Sequence, residues 1–120
     1  MEEKIVKILL NNLECEAIVL FGSYSCGTQN AESDIDIAIK VKEKLDKKEL
    51  YRLSNLLADE LNKEVDLINL GEIGDTFRYE ILITGKTLYC KDELQFELYK
   101  LDMYREFFDL KETIEYVKNL

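Results

Sequence analysis

The sequence predicts a small α/β (α+β) domain, a mixed β-sheet flanked by helices, and two observations predict it. Short apolar runs at Glu16–Phe21, Ser33–Val41 and Glu64–Leu70 alternate with longer stretches whose apolar residues recur at helical spacing. The chain has 120 residues, 47% of them hydrophobic and 34% charged, the size and balance of one folded domain with a single core. Residues 1–120 are therefore read as one domain with a helical extension over about 92–120.

Each element has its own reason. Glu2–Leu13 carries Ile5, Leu9 and Leu13 at four-residue spacing, with Val6 and Ile8 beside them, as an amphipathic helix does. Glu16–Phe21 reads as a buried strand and Ser33–Val41 as a second, β-branched one. Asp46 is placed to cap a helix running to about Leu61, in which Leu50, Leu53, Leu57 and Leu61 form one stripe for the core. Glu64–Leu70 is a third strand, ended by Gly71. Ile73–Thr84 is helical with Gly85 as its stop, and Thr87–Cys90 is a short fourth strand. From Asp92 the pattern is helical nearly to the end, with a bend near Asp109-Leu110. Its Phe96, Tyr99, Met103, Tyr104, Phe107, Phe108 and Tyr116 are core residues first, and any excess is available to a partner or a second copy.

Charge narrows the function. A net charge of −9 excludes a broad electrostatic grip on nucleic acid, which needs a lysine- and arginine-rich surface. It leaves a small anionic substrate held through a metal, or a basic protein partner. No apolar run approaches the ~20 residues of a membrane span, and Met1-Glu2-Glu3-Lys4 does not open a signal peptide. Cys15, Cys26 and Cys90 are odd in number, far apart and without a histidine. They read as reduced thiols of a cytoplasmic protein, neither a zinc site nor a disulfide framework.

The chemistry concentrates in one stretch. An apolar strand enters a small-residue turn at Gly22-Ser23, and the next strand carries Asp34 and Asp36 at alternate positions. Residues i and i+2 of a strand share a face, so the two carboxylates project together while Ile35 and Ile37 turn away. Such a pair stays ionised most easily with a divalent cation between its members, and magnesium suits hard oxygen ligands. Gly22 lets backbone approach a phosphate closely, and Ser23 offers it an N–H and a hydroxyl. The plainer reading is a polar edge strand with two solvated aspartates.

Gly-Ser followed by Asp-x-Asp at this spacing resembles the signature of the nucleotidyltransferase superfamily related to DNA polymerase beta. Over residues 16–91 the chain is most similar to its smallest members, the minimal nucleotidyltransferases, often antitoxin partners of HEPN-domain toxins. The resemblance implies a mixed central sheet with helices chiefly on one face. It also implies a third carboxylate on the strand after the Asp46 helix, where Asp66 is the one aspartate between Val65 and Leu67. Burying an unpaired charge there would be costly without a ligand to hold, and the plainer reading is that Asp66 faces solvent on a one-sided sheet. On this resemblance Asp34, Asp36 and Asp66 are catalytic and bind magnesium, two ions with ATP as substrate, and Gly22 and Ser23 bind the nucleotide. Asp34 and Asp36 would bridge the metals, and Asp66 would hold the second and help deprotonate the acceptor. Relatives often carry Ala-Arg-Gly where this chain has Ser25-Cys26-Gly27, so a cation near the phosphates is missing. Arg78, Lys40, Lys42 and Lys86 are the candidate replacements. The implied activity is adenylylation of a protein hydroxyl, a tyrosine of a HEPN toxin foremost. The alternative is a non-catalytic antitoxin that blocks its partner by contact. Transfer to a small-molecule hydroxyl, as in aminoglycoside-modifying relatives, is weaker because those proteins usually carry extra substrate domains.

Overall fold

Strand β1 (Cys15–Phe21) runs inside a four-stranded sheet ordered β3-β2-β1-β4 in the computed structural model. The structure describes residues 1–27, 29–30 and 34–120, and for 110, 111 and 113 the backbone alone. The unbroken apolar run of β1 is explained by burial on both faces, with Ile18 and Leu20 on one side and Ala17, Val19 and Phe21 on the other. Strands β2 (Ile35–Val41) and β4 (Lys86–Cys90) flank β1 antiparallel. Strand β3 (Val65–Asn69) pairs with β2 in parallel, which requires a crossover.

Helix α3 (Lys47–Leu61) is that crossover. Asp46 caps it as expected, accepting the Lys48 N–H at 2.8 Å, and left-handed Asn62 (φ 54°) ends it. Helix α1 (Glu2–Asn12) packs beside it, so that Ile5, Leu9, Leu53 and Leu57 bury against Ile18, Leu20, Ile35, Ile37 and Ile39. Helices α4 (Asp75–Thr84) and α5 (Glu93–Lys118) cover the opposite face with Ile81, Leu82 and Phe96. Helices on both faces correct the expectation of one. The reason lies in β1 and β2, where Ala17, Val19 and Ala38 present apolar surface that a second layer must shield from water.

Several boundaries also differ. Strand β2 starts at Ile35, whose N–H bonds the Glu64 carbonyl at 2.9 Å, so Asp34 precedes the strand; Ser33 lies outside the described residues. Leu70–Glu72 is a 3-10 turn rather than strand, capped by the buried Asn69 side chain, which accepts the Gly71 N–H at 3.0 Å. Helix α4 begins two residues later than the pattern predicts. Gly85 does stop it, but in extended backbone (φ −76°, ψ 161°). A Cβ there would lie 2.5 Å from the Ile81 carbonyl oxygen and 2.6 Å from Val19 Cγ1, so glycine serves close packing on β1. Helix α5 continues through Asp109 and Leu110, where the pattern predicts a bend. Helices α4 and α5 run antiparallel: Tyr104 donates to the Leu82 carbonyl at 3.3 Å, and Phe107 stacks on Tyr79 at 3.8 Å. No helix among the described residues is long and apolar enough to cross a membrane.

Candidate active site

At the end of β1 the backbone turns at Gly22 with φ 71° and ψ −152°, a region essentially closed to residues with a side chain. A Cβ at Gly22 would collide with Asp36 Oδ2 and lie 3.2 Å from Asp36 Cγ. The glycine therefore lets the turn press directly against the carboxylate. Ser25 closes the turn, donating to the Gly22 carbonyl from its N–H at 3.2 Å and its hydroxyl at 2.9 Å. A single-turn helix, α2 (Ser23–Cys26), follows and leaves through left-handed Gly27.

Register brings the acidic residues to the same corner. Phe21 faces Asp36 across the β1–β2 ladder, and Asp36 faces Asp66 across the parallel β2–β3 ladder. Since Ile35, Ile37 and Leu67 point into the α1–α3 core, Asp36 and Asp66 lie on the α4–α5 face. Asp36 is half-buried, whereas Asp34 and Asp66 are exposed. Burial, then the charge of Asp66, then that of Asp34, push the Asp36 carboxyl above its ordinary range. Asp34 and Asp66 therefore both act on Asp36.

They do not yet form a cage. Among the described residues, no three His, Cys, Asp or Glu side chains converge into a closed metal site. Repulsion holds like charges apart, and a magnesium ion commonly takes only one or two protein carboxylates, completing its shell with water and phosphate. The donors fit such an ion: they are all oxygen, and two face each other on paired strands. Exposure of Asp66 corrects the reasoning from burial cost. What places this residue is its pairing with Asp36.

Three of the four proposed replacement cations are engaged by other groups, and the fourth, Lys42, lies at the far end of the sheet. Arg78 is spent on structure, donating to the Leu70 and Ile73 carbonyls at 2.7 Å and to Asp75 at 2.9 Å. Lys40 bonds Glu16 at 3.0 Å beneath the Tyr99 ring, and Lys86 bonds Glu2 at 2.9 Å. Lys42 lines a cavity of about 390 Å³ with Cys15, Lys40, Lys91 and Phe96, at the opposite end of the sheet from the carboxylates. Burial in its wall pushes the Cys15 thiol up to about 11. A cation the sequence reading did not consider, Lys63, has its Nζ 6.0 Å from the centroid of the Tyr24 ring on α2. Its only sequence signal is a basic residue between the third strand and the helix before it. Lys63→Ala is expected to weaken triphosphate binding by about tenfold, the scale of one charge-assisted hydrogen bond. Cys26, exposed on α2, is expected to give the reverse on change to Arg, a tightening of about tenfold, and calorimetry at fixed magnesium reads both.

Comparison with known proteins gives the family and the fold. The family model for polymerase beta nucleotidyltransferases matches residues 3–94. The chain is 36% identical over 107 residues to the protein adenylyltransferase MntA of Shewanella oneidensis, a match covering 87% of this chain and 77% of that protein. A toxin–antitoxin crystal structure with AMP-PNP superposes with a TM-score of 0.88 at 32% identity, over 98% of this chain and 95% of its counterpart. The complex of an MNT antitoxin with tri-AMPylated Shewanella oneidensis HEPN toxin superposes at 0.81 with 28% identity, over 98% and 92% of the two chains. With its Gly-Ser turn and facing aspartates in place and a family match over most of its length, the chain belongs to the polymerase beta nucleotidyltransferase family.

Proposed function

We propose that this chain transfers AMP from ATP, with magnesium, to a tyrosine hydroxyl of a HEPN-type toxin and so serves as an antitoxin in the cytoplasm. The observation that carries the reading is the meeting of Asp36, Asp66 and the Gly22 turn at one sheet corner. Asp34, Asp36 and Asp66 would hold magnesium, which when bound neutralises charge on the phosphate oxygens and the leaving group. Gly22 and Ser23 would cradle the triphosphate where no side chain keeps its oxygens away. The acceptor oxygen forms a bond to the α-phosphorus while the bond from that phosphorus to the β-bridging oxygen breaks. Pyrophosphate leaves with the electron pair. The proton of the acceptor hydroxyl passes to a carboxylate oxygen of Asp66, which is exposed and therefore reachable from solvent. Catalysis here is mostly positioning and electrostatics.

One observation favours a second reading, an antitoxin that acts by contact alone: an exposed cysteine, Cys26, takes the position where the family resemblance implies an arginine. Incubation with ATP labelled at the α-phosphate, magnesium and the cognate HEPN-type protein separates the two. Labelled partner and released pyrophosphate are expected. A tight complex with no label would establish the contact-only antitoxin.

A further inference from the structure

We infer that the C-terminal end of α5 is the surface on which the protein acceptor docks, beside the carboxylates; this rests on the AMP-transfer reading above. Helix α5 starts at the far end of the sheet, where the Lys91 N–H bonds the Glu16 carbonyl, and runs antiparallel to α4. The start of α4 marks the active-site end, because Phe77 packs edge-on to Phe21 with ring centroids 5.9 Å apart. Phe107 stacks on Tyr79, one turn inside α4, so α5 draws level with Asp75 near residue 111. Beyond that level, residues 112–118 project about 10 Å past the end of α4 at a rise of about 1.5 Å per residue.

The overhang keeps the apolar face of the helix but not its cover. Phe96, Tyr99, Met103 and Phe107 form an inner row at three- and four-residue spacing, and Ile114 and Val117 continue it. Phe96 is 4% exposed, whereas Ile114 is 46% and Val117 60% exposed. An apolar row that outruns its packing layer, flanked by Glu112 and Glu115, suits a partner with an apolar patch and a basic rim. Two further observations set the helix apart from the catalytic part of the chain and support this use of it. The catalytic family match ends at residue 94, so nearly all of α5 lies outside it. The superpositions on toxin–antitoxin chains span 98% of this chain, and so include α5. A protein substrate needs contacts beyond the reacting tyrosine, and the overhang stands at the end of the molecule where that tyrosine must enter.

The test uses the full chain with its cognate HEPN-type protein, and the variants Ile114→Glu, Val117→Glu and the double change. Leu101→Glu, on the exposed outer row of the same helix, is the comparator. The expected result is about tenfold or greater weakening of the complex by sedimentation, with a parallel fall in AMP transfer at limiting partner. Calorimetric affinity for magnesium-ATP should stay unchanged, and Leu101→Glu should behave as wild type. Because all of these positions are exposed, melting temperatures should also hold. If the double variant nevertheless melts early, the two single variants carry the decision. Unchanged association and transfer, or a loss seen with Leu101→Glu instead, would overturn the docking assignment. So would a wild-type chain that dimerises alone and is made monomeric by Val117→Glu. If the wild type binds its partner but transfers no AMP, and the variants abolish binding, the docking surface stands and the transfer reading fails.

Discussion

Magnesium-ATP is expected to raise the melting temperature of the wild-type chain and to leave that of Asp34→Asn/Asp36→Asn unmoved. A ligand that binds only the folded state at a hundredfold excess over Kd stabilises it by about 2.7 kcal/mol, on the order of 10 °C for a domain of this size. On the proposed function, removing Asp34 and Asp36 would take away the ion and with it the triphosphate. AMP transfer should fall by about 10²–10³-fold or more, the usual cost of losing a preorganised electrostatic group. Without ligand, the variant should be as stable as wild type at neutral pH or more so. The Asp36 carboxyl is held above its ordinary range by burial, Asp66 and Asp34, so the folded state binds its proton more tightly than the unfolded chain does. Wild-type stability therefore falls as pH rises from the ordinary aspartate value through the raised one. The variant lacks that fall, so its advantage should be present at neutral pH and vanish in acid. Thermal melts with and without magnesium-ATP, from acid to neutral pH, read all of this. A full magnesium-ATP shift in the double variant would place the nucleotide site elsewhere.

How much of this is legible in the sequence depends on how local each signal is. The Asp46 cap, the leucine stripe of α3 and the Gly22-Ser23 and Asp34-x-Asp36 pairs are local; the structure places the cap, the stripe and the turn where their spacing implies, and starts β2 one residue after Asp34. Asp66 is only half legible. Its strand can be read from β-branched residues, but its role depends on parallel register with Asp36, which no nearby residue announces. Lys63 is less legible still, because it approaches Tyr24 only through the return of the chain from α3 into β3. The covering of both sheet faces was written into β1 as Ala17, Val19 and Phe21 alternating with Ile18 and Leu20. A fully apolar strand names no side, so only the folded chain shows that α4 and α5 take the second. The exposed end of α5 is hidden for the opposite reason: its periodicity at Ile114 and Val117 is the same as at Phe96, and what changes is where α4 stops.

Gly22→Val is expected to abolish AMP transfer while costing the fold only part of its stability. Two effects compete at this position. The first is local strain: φ 71° with ψ −152° is a glycine conformation, and placing a side chain there costs on the order of 1–3 kcal/mol. A well-packed domain of this size tolerates that loss as a melting temperature lower by several degrees, since stabilities run to about 5–15 kcal/mol. The second effect is steric and falls on the chemistry. The new Cβ would occupy the space of Asp36 Oδ2, and the branched methyls of valine enlarge the conflict, so either the turn or the carboxylate must move. A misplacement of about 1 Å among reacting groups can cost about 10²-fold in rate, and here the proposed phosphate cradle and the proposed ion-holding carboxylate would be displaced together. The functional effect should therefore far exceed the structural one. Gly22→Ala should show the same order with a smaller thermal cost. The measurement is transfer of labelled AMP beside circular dichroism melts and partner binding on the same preparations. A Gly22→Val protein that is folded, binds its partner and still transfers AMP at the wild-type rate would show that the turn does not approach the phosphates.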